Sequence, residues 1–264
     1  MERPEPLNEG GFGKVYRPPL PCDGRTFTNS HVGKVTDEVS VMQEMAASRA
    51  IRRYTDWADW ACPAIYTCKV SGSDDEQIVY RYCGTPLQNL LMRHGTYEDG
   101  YLLDEDSPDL VADGFDQMVR LIIDFLPRIQ TLNRRYIHGD MHLRNILQKN
   151  GACYLIDFAT MVSLDVAFEK AVRLVTRDLK GSRPEEIAAF LESHEDEIAD
   201  EVQMEDVGYI LRALVTILDS PWGKKHLKKY KFWLASTRAP RGLRHPLQRA
   251  EDYYRVIRNL VNFM

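Results

Sequence analysis

A chain of 264 residues with a net charge of −5 at pH 7 can build a sizeable core, as one large domain or two small lobes. With 44% hydrophobic and 28% charged residues, the composition excludes a disordered chain, a collagen-like repeat and a small disulfide framework. The five cysteines include no Cys-x-x-Cys pair, which predicts reduced thiols and a cytoplasmic protein. No run of about 18 apolar residues occurs, so we expect no membrane-spanning helix.

The first third of the chain predicts strands and a single helix. Turn-forming prolines and glycines separate short apolar runs, and residues 18–30 have the composition of a loop. Apolar residues from Asp37 to Arg53 recur at helical spacing, and Thr36 or Asp37 can cap that helix. The predicted strands are Val15–Tyr16, His31–Val35, Ala64–Val70 and Gln77–Tyr82.

The rest of the chain is predominantly helical in pattern. A short helix is predicted at Leu87–Arg93, and a long amphipathic helix between Phe115 and Leu132, which Pro127 should kink or divide. A hairpin follows around Asn150-Gly151, and the patterns are helical from Ala167 onward. These elements predict an α+β fold with a small strand-rich lobe, residues 1–83, and a mainly helical lobe, residues 84–264.

One group of polar residues lies between the long helix and the end of the hairpin. Asp140 and Asn145 fall in a predicted loop, and Asp157 closes an apolar strand in Leu-Ile-Asp-Phe-Ala. Phosphoryl transfer uses such a set, with one carboxylate that orients the attacking hydroxyl and further oxygens that hold Mg²⁺. Each residue alone also fits an ordinary turn, but the ordered set His-x-Asp, four residues, Asn, then Asp-Phe is far more specific.

A second group lies near the start of the chain. The segment Asn8 to Tyr16 reads NEGGFGKVY, whose glycines allow a backbone turn to approach phosphate oxygens. Lys34 follows on a predicted strand and can reach phosphates, and Glu44 on the predicted helix can pair with it, with Glu38 as the competing partner. Taken alone, such a pair also fits a surface salt bridge.

Together these motifs resemble the protein kinase-like superfamily over residues 7–160, in particular compact, divergent Ser/Thr kinases of large DNA viruses or bacterial effectors. The resemblance implies a bilobal fold, ATP and Mg²⁺ (or Mn²⁺), and, for a viral protein or an effector, the host cytosol. It implies a catalytic base at Asp140, metal ligands at Asn145 and Asp157, and a Lys34 held by Glu44. The implied nucleotide-binding positions are Gly10, Gly11, Gly13, Val15, Lys34, the gatekeeper Tyr80, and Tyr82 and Cys83 of the hinge.

Several residues depart from the family pattern. Gly139 replaces the arginine that commonly pairs with an activation-loop phosphate, which predicts activity without phosphorylation of Thr160 or Ser163. His142 stands where Ser/Thr kinases carry lysine, and can donate a hydrogen bond to the transferred phosphoryl group. Asp206 resembles the aspartate of the buried helix in the second lobe. The usual peptide-binding platform is absent or rebuilt in residues 161–205.

Three functions are compatible with these residues. The first is a protein kinase that transfers the γ-phosphate of ATP to Ser or Thr. The second is a small-molecule kinase of the aminoglycoside or choline type, whose loop has a similar His-Gly-Asp pattern. The third is a non-catalytic nucleotide-binding protein, against which the intact set of polar residues argues.

The last part of the chain is strongly basic. Residues 222–258 contain eleven Lys or Arg and two acids, a local charge of +9. Solvated helix surface is the simpler interpretation, and an acidic or phosphorylated partner is the alternative. Charge alone does not indicate nucleic acid, and the acceptor protein is not identified.

Overall fold

The computed structural model describes residues 5–10, 13–92, 111–178, 182–237 and 250–264. Two compact units account for the chain: Met1–Thr85 with Asn145–Met161, and Pro86–Arg144 with Val162–Met264. Residues 145–161, predicted in the second lobe, therefore pack with the first unit. The α+β prediction is confirmed, because strands dominate the first unit and helices the second. No helix among the described residues is long and apolar enough to cross a membrane.

The first unit contains a five-stranded antiparallel sheet in the order β1-β2-β3-β5-β4 and the α-helix α1. Asp37 caps the helix by accepting a hydrogen bond from the Ser40 N–H at 2.9 Å, which confirms one of the two predicted caps. The elements are β1 Asn8–Gly10, β2 Gly13–Tyr16, β3 His31–Thr36, α1 Glu38–Ile51, β4 Tyr66–Lys69 and β5 Glu76–Arg81.

The later hairpin of this unit forms as predicted. Strands β8, Ile146–Lys149, and β9, Ala152–Leu155, pair in antiparallel register. The turn between them places Asn150 at φ 53° and Gly151 at φ 80°, the left-handed conformations that an Asn-Gly hairpin turn requires. Thr85 begins β6, Thr85–Pro86, and its hydroxyl accepts a hydrogen bond from Gln148. Asp157 lies two residues after the last strand of this hairpin.

A buried glutamine links the long loop before β3 to the sheet. The Gln77 side-chain amide donates to the Leu20 carbonyl at 2.9 Å, and its oxygen accepts from the Leu20 N–H at 2.9 Å. A Cβ at Gly33, on the neighbouring strand, would clash with the Gln77 side-chain oxygen. Glycine at position 33 therefore provides the space for Gln77, which satisfies two backbone groups of the loop.

The prediction of reduced thiols is wrong for four of the five cysteines. Cys22 is disulfide-bonded to Cys68, and Cys62 to Cys83, with Cα–Cα distances of 5.8 and 6.4 Å. Cys153 is buried and is in neither disulfide. The sulfur partners are 46 and 21 residues apart and meet only because the sheet and its flanking segments bring them together. The predicted cytoplasmic location stays a prediction, without the support that reduced thiols would give it.

The second unit is organised around a long helix, α2, Ala112–Asn133, which Pro127 does not divide. Its buried face follows the predicted helical spacing, with Phe115, Met118, Ile122 and Leu126 in the core. The other elements are β7 Tyr136–Ile137, β10 Val162–Ser163, α3 Leu164–Asp178, α4 Pro184–Asp219, α5 Pro221–His226, α6 Lys231–Thr237 and α7 Ala250–Arg258. Strand β7 pairs with β10 in antiparallel register.

The basic segment is amphipathic in its described part. Trp222, Tyr230 and Trp233 are buried, and Lys224, Lys225, Lys228, Lys229 and Lys231 are exposed. Two of these lysines form ion pairs, Lys224 with Asp219 and Lys229 with Asp116. Residues 238–249 of the segment lie outside the described part of the chain. The exposed lysines agree with a solvated face, and a partner for it stays a prediction.

Candidate active site

The first unit brings Lys34 and Asp157 into direct contact. Lys34 lies in the middle of β3, opposite Val15 on β2 and Ile78 on β5. Its ammonium donates to the two carboxylate oxygens of Asp157 at 2.8 and 2.9 Å. The side chains are 15% and 24% exposed, so the pair is only partly screened by water. This contact joins the two sequence motifs, which are 123 residues apart in the chain.

Asp157 itself has an uncommon backbone conformation. Its φ of 61° and ψ of 65° place a non-glycine residue in the left-handed region, immediately before the single helical turn Phe158–Thr160. The N–H of Ile156 donates to the Asn145 carbonyl at 3.0 Å, which ties the start of the hairpin to its end. Residues held in sparsely populated conformations concentrate at functional sites, and Asp157 fits that tendency.

Glu44 has a different environment from the predicted one. We expected it to hold Lys34, but the ion pair of Lys34 is with Asp157 instead. The Glu44 side chain is 1% exposed, accepts a hydrogen bond from Ser48 at 3.4 Å, and has one oxygen without a partner. Burial, followed by the charge of Asp157, raises the pKa of Glu44 to about 8. Because desolvation penalises the ionised carboxyl, a neutral Glu44 does not compete for the lysine.

Tyr80, predicted as the gatekeeper, is buried on β5 and packs with Val41, Ala64 and Ile78. Its hydroxyl has no hydrogen-bond partner, and burial together with the nearby Glu44 carboxyl raises the pKa of Tyr80 well above its usual value. The Tyr80 side chain therefore fills the space between β5 and α1.

Tyr82 and Cys83 follow β5, at the predicted hinge. The Tyr82 N–H donates to the Ser30 carbonyl at 2.8 Å, and its carbonyl accepts from the Lys149 ammonium at 3.0 Å. The Arg17 guanidinium lies 3.3 Å from the centroid of the Tyr82 ring. Cys83 is buried and forms the disulfide with Cys62. The hinge backbone is therefore fixed from several directions.

The glycine-rich segment forms a hairpin between β1 and β2, in which Gly10 pairs with Gly13. Gly13 has a φ of 123°, and a Cβ there would clash with the Val35 carbonyl, so this position requires glycine. Val15 lies opposite Lys34. Gly11, also predicted to contact the nucleotide, lies outside the described residues.

Asn145, just before β8, and Asp157, two residues after β9, carry oxygen atoms that suit a hard cation. Asp157 supplies a carboxylate and Asn145 an amide, the donor types that Mg²⁺ prefers. In this structure the ammonium of Lys34 donates to both oxygens of Asp157, so the negative charge of the carboxylate is balanced by the lysine. Among the described residues, no three His, Cys, Asp or Glu side chains cluster as a metal site.

The second unit carries Asp140 and His142. The His142 ring nitrogen Nε2 lies 3.4 Å from the Asp140 carboxylate, and both side chains are about one-third exposed, at 31% and 32%. The Asp140 N–H donates to the ring of the fully buried His138 at 3.3 Å, and the His142 N–H to the Asp140 carbonyl at 3.1 Å. The loop therefore presents a carboxylate and an imidazole at its surface.

The side chain of Asp206, on α4, anchors this loop through hydrogen bonds. It is fully buried, and its carboxylate accepts the N–H groups of His138 at 2.8 Å and Gly139 at 3.0 Å, and the Asn133 amide at 2.7 Å. Gly139 has a φ of 78°, which favours glycine over the usual arginine. The resemblance seen at Asp206 thus corresponds to a structural role, although the residue is not among the predicted catalytic positions.

One comparison with known proteins bears on the reaction type. Residues 85–204 match the model of the phosphotransferase enzyme family. This segment contains the loop with Asp140 and the hairpin that ends before Asp157. Among curated proteins, none matches this chain. The similarity supports a kinase-like phosphotransfer enzyme, and it does not distinguish a protein acceptor from a small-molecule acceptor.

Proposed function

We propose that the protein transfers the γ-phosphate of ATP to an alcohol, and that a Ser or Thr hydroxyl of a protein is the acceptor. The observation that carries the phosphotransfer is the contact of Lys34 with Asp157, which unites a lysine suited to phosphate with a carboxylate suited to Mg²⁺. The glycine hairpin, in which position 13 requires glycine, also supports the proposal that a nucleotide binds next to Lys34.

Each residue of the proposed site has a distinct role. Lys34 and the backbone N–H groups of the glycine hairpin bind and orient the phosphates. Asp140 accepts the proton of the acceptor hydroxyl, and His142 donates to the transferred group. Asn145 and Asp157 would hold Mg²⁺, which neutralises charge on the phosphate oxygens when bound. The products are ADP, the phosphorylated alcohol and one proton.

A small-molecule alcohol is the second candidate acceptor. The family match is compatible with it, because the matched segment contains the loop with Asp140 and the family name specifies no acceptor. The glycine hairpin and the Asp157-Phe158 pair resemble protein kinases more closely, which is why the protein acceptor is proposed first. An acidic or phosphorylated partner for residues 222–258, a cytosolic location and a viral or effector origin are further proposals that no contact in the structure supports.

The decisive experiment incubates the protein with γ-labelled ATP, Mg²⁺, and either a protein mixture or a mixture of aminoglycosides and choline. Label on protein hydroxyls supports the first proposal, and label on small molecules supports the second. Asp140→Asn is the negative control, and Asp165→Asn, which changes an exposed carboxylate on α3, is the matched control. Absence of label in both mixtures, together with no ADP formation, would contradict phosphotransfer.

A further inference from the structure

We propose that the disulfide between Cys62 and Cys83 is a positioning element of the nucleotide site, and that nucleotide affinity depends on its oxidised form. The inference rests on the proposed function, because it concerns how that same site is held and regulated. The supporting observations are the backbone contacts of the segments that contain Cys62 and Cys83.

Cys62 belongs to a segment that extends the hairpin sheet. Its N–H donates to the Leu155 carbonyl at 2.9 Å, and the Leu155 N–H donates to the Trp60 carbonyl at 2.9 Å. Ala61 forms a parallel bridge with Leu155. Residues 60–62 therefore act as a short extra strand beside the end of β9. Two residues after Leu155, the chain reaches Asp157, so the position of this segment and that of the predicted metal ligand are linked.

Cys83 belongs to the hinge. Within the described part of the chain, its backbone N–H and carbonyl form no hydrogen bond, whereas both backbone groups of the preceding Tyr82 are used. An adenine base presents a donor and an acceptor along one edge, and an adjacent backbone carbonyl and N–H satisfy both. The next residue, Gly84, has a φ of 107° and lies so close to the Gln148 carbonyl that a Cβ would clash.

The disulfide thus joins the backbone that can meet the base to residues 60–62, which are hydrogen-bonded to the strand that precedes Asp157. Both cysteines are 2% exposed, so the bond is packed within the unit. Without it, Cys83 depends on packing and on the contacts of its chain neighbours, because its own backbone forms no hydrogen bond among the described residues. A looser hinge lowers affinity because the backbone must be ordered again each time a nucleotide binds.

The second disulfide offers a matched control within the same unit. Cys22 and Cys68 are also buried, and their bond connects the loop before β3 to β4. Neither residue adjoins the hinge or β9. Because this bond closes the longer loop, 46 residues against 21, the chain-entropy argument assigns it the larger effect on stability. The two bonds therefore separate a loss of stability from a loss of nucleotide affinity.

The chemistry that opens the bond is ordinary thiol–disulfide exchange. A thiolate of a small dithiol attacks one sulfur, which forms a mixed disulfide and releases the other cysteine as a thiolate. The second thiol of the reagent then displaces the first cysteine. The two cysteines gain two electrons and two protons, and the reagent leaves as a cyclic disulfide.

The first test compares Cys62→Ala/Cys83→Ala with Cys22→Ala/Cys68→Ala under non-reducing conditions. Affinity is measured with a fluorescent ATP analogue and Mg²⁺, and stability by the midpoint of thermal unfolding. We expect the first variant to bind at least tenfold more weakly than wild type. The control should bind within twofold of wild type, although its unfolding midpoint falls by as much or more. Equal affinities of the two variants would overturn the inference.

A second measurement avoids a variant that fails to fold. In Cys22→Ala/Cys68→Ala, the bond between Cys62 and Cys83 is the one disulfide that the structure retains, so two new thiols in the folded protein under dithiothreitol report the opening of this bond alone. Affinity should fall as two new thiols appear, and should recover on reoxidation. Unchanged affinity after release of two thiols overturns the inference, as do five reactive thiols in the denatured, non-reduced wild type.

The failure of this inference is distinguishable from the failure of the proposed function. If the oxidised wild-type protein does not bind ATP analogues at all, the proposed phosphotransfer fails, and the role of the disulfide fails with it. If the wild type binds and the hinge variant binds equally well, the role of the disulfide alone is wrong.

Discussion

The ammonium of Lys34 donates to both carboxylate oxygens of Asp157, at 2.8 and 2.9 Å. One cation therefore already occupies the carboxylate that is proposed to hold Mg²⁺. Under the proposed function, binding of Mg²⁺ and ATP would redistribute these contacts, with the lysine donating to phosphate oxygens and the carboxylate facing the metal ion.

The first prediction concerns this carboxylate. Asp157→Asn keeps the size of the side chain but removes the charge that balances Lys34 and attracts Mg²⁺. We expect phosphotransfer to fall by roughly 10²–10⁴-fold, with weaker binding of ATP in the presence of Mg²⁺. Transfer rates and nucleotide affinity, measured with and without Mg²⁺, check this. Asp59→Asn changes an exposed aspartate in the same unit and should leave both unchanged. A wild-type rate for Asp157→Asn would remove the residue from the site.

The second prediction concerns the buried anchor of the loop. In Asp206→Asn, one of the oxygens that receive the N–H groups of His138 and Gly139 is replaced by a donor, which leaves buried groups unsatisfied. We expect the free energy of unfolding to drop by about 1–3 kcal/mol, and the transfer rate to fall because the loop with Asp140 loses its support.

Urea denaturation measures the first effect, and the labelled-ATP assay the second. The matched control is Asp219→Asn on the same helix, which removes an ion pair with Lys224 at an exposed position. A surface pair contributes roughly 0–1 kcal/mol, so the control should be nearly neutral. If both variants were equally stable and active, the anchoring role of Asp206 would be wrong.

The third prediction is a pH dependence of stability from Glu44. Its pKa of about 8 in the folded protein lies above the usual 4.5, so the folded state binds this proton more tightly than the unfolded state. As the pH rises from 4.5 to 8, the unfolded chain loses the proton first, and stability decreases. The slope is at most about 1.4 kcal/mol per pH unit, and the contribution levels off above pH 8.

Glu44→Gln, which cannot ionise, should lack this slope. Urea unfolding of both proteins at several pH values between 5 and 8 measures the difference. We expect wild type to become less stable relative to Glu44→Gln as the pH increases. Parallel stability curves for the two proteins would show that the carboxyl is not held neutral by its surroundings.

The fourth prediction concerns activation. Gly139 carries no side chain to pair with a phosphate, and its N–H is already bonded to Asp206. We therefore expect Thr160→Ala/Ser163→Ala, expressed in bacteria, to transfer phosphate within about twofold of wild type. Mass spectrometry of the purified protein establishes its phosphorylation state. A requirement for phosphate at either position would contradict the prediction.

The sequence was sufficient for the features that depend on local pattern. The period of α2, the Asn150-Gly151 turn and the cap at Asp37 all follow from short-range rules and are present in the structure. Pro127 does not divide α2, which continues through it as one helix, and the alternative of a kink stays a prediction. The neighbouring turns of a packed helix can offset the loss of one backbone donor, which local propensity does not reveal.

Features that depend on tertiary contacts were not predictable in the same way. The disulfides were missed because neither spacing nor composition shows which cysteines the fold brings together. The choice of Asp157 over Glu44 as the partner of Lys34 depends on burial, which disfavours an ionised Glu44. Both carboxylates were identified from the sequence, but their division of roles required the structure.

The contact between Gly33 and Gln77 has an evolutionary consequence for this lobe. Any side chain at position 33 requires a different residue at position 77, and a changed residue there leaves the backbone of Leu20 unsatisfied. Position 33 is adjacent to Lys34. The effects of substitutions at positions 33 and 77, on neighbouring strands, therefore depend on each other next to this lysine. Mutational paths that alter this part of the sheet therefore favour compensated double changes, which restricts how the sheet can diverge.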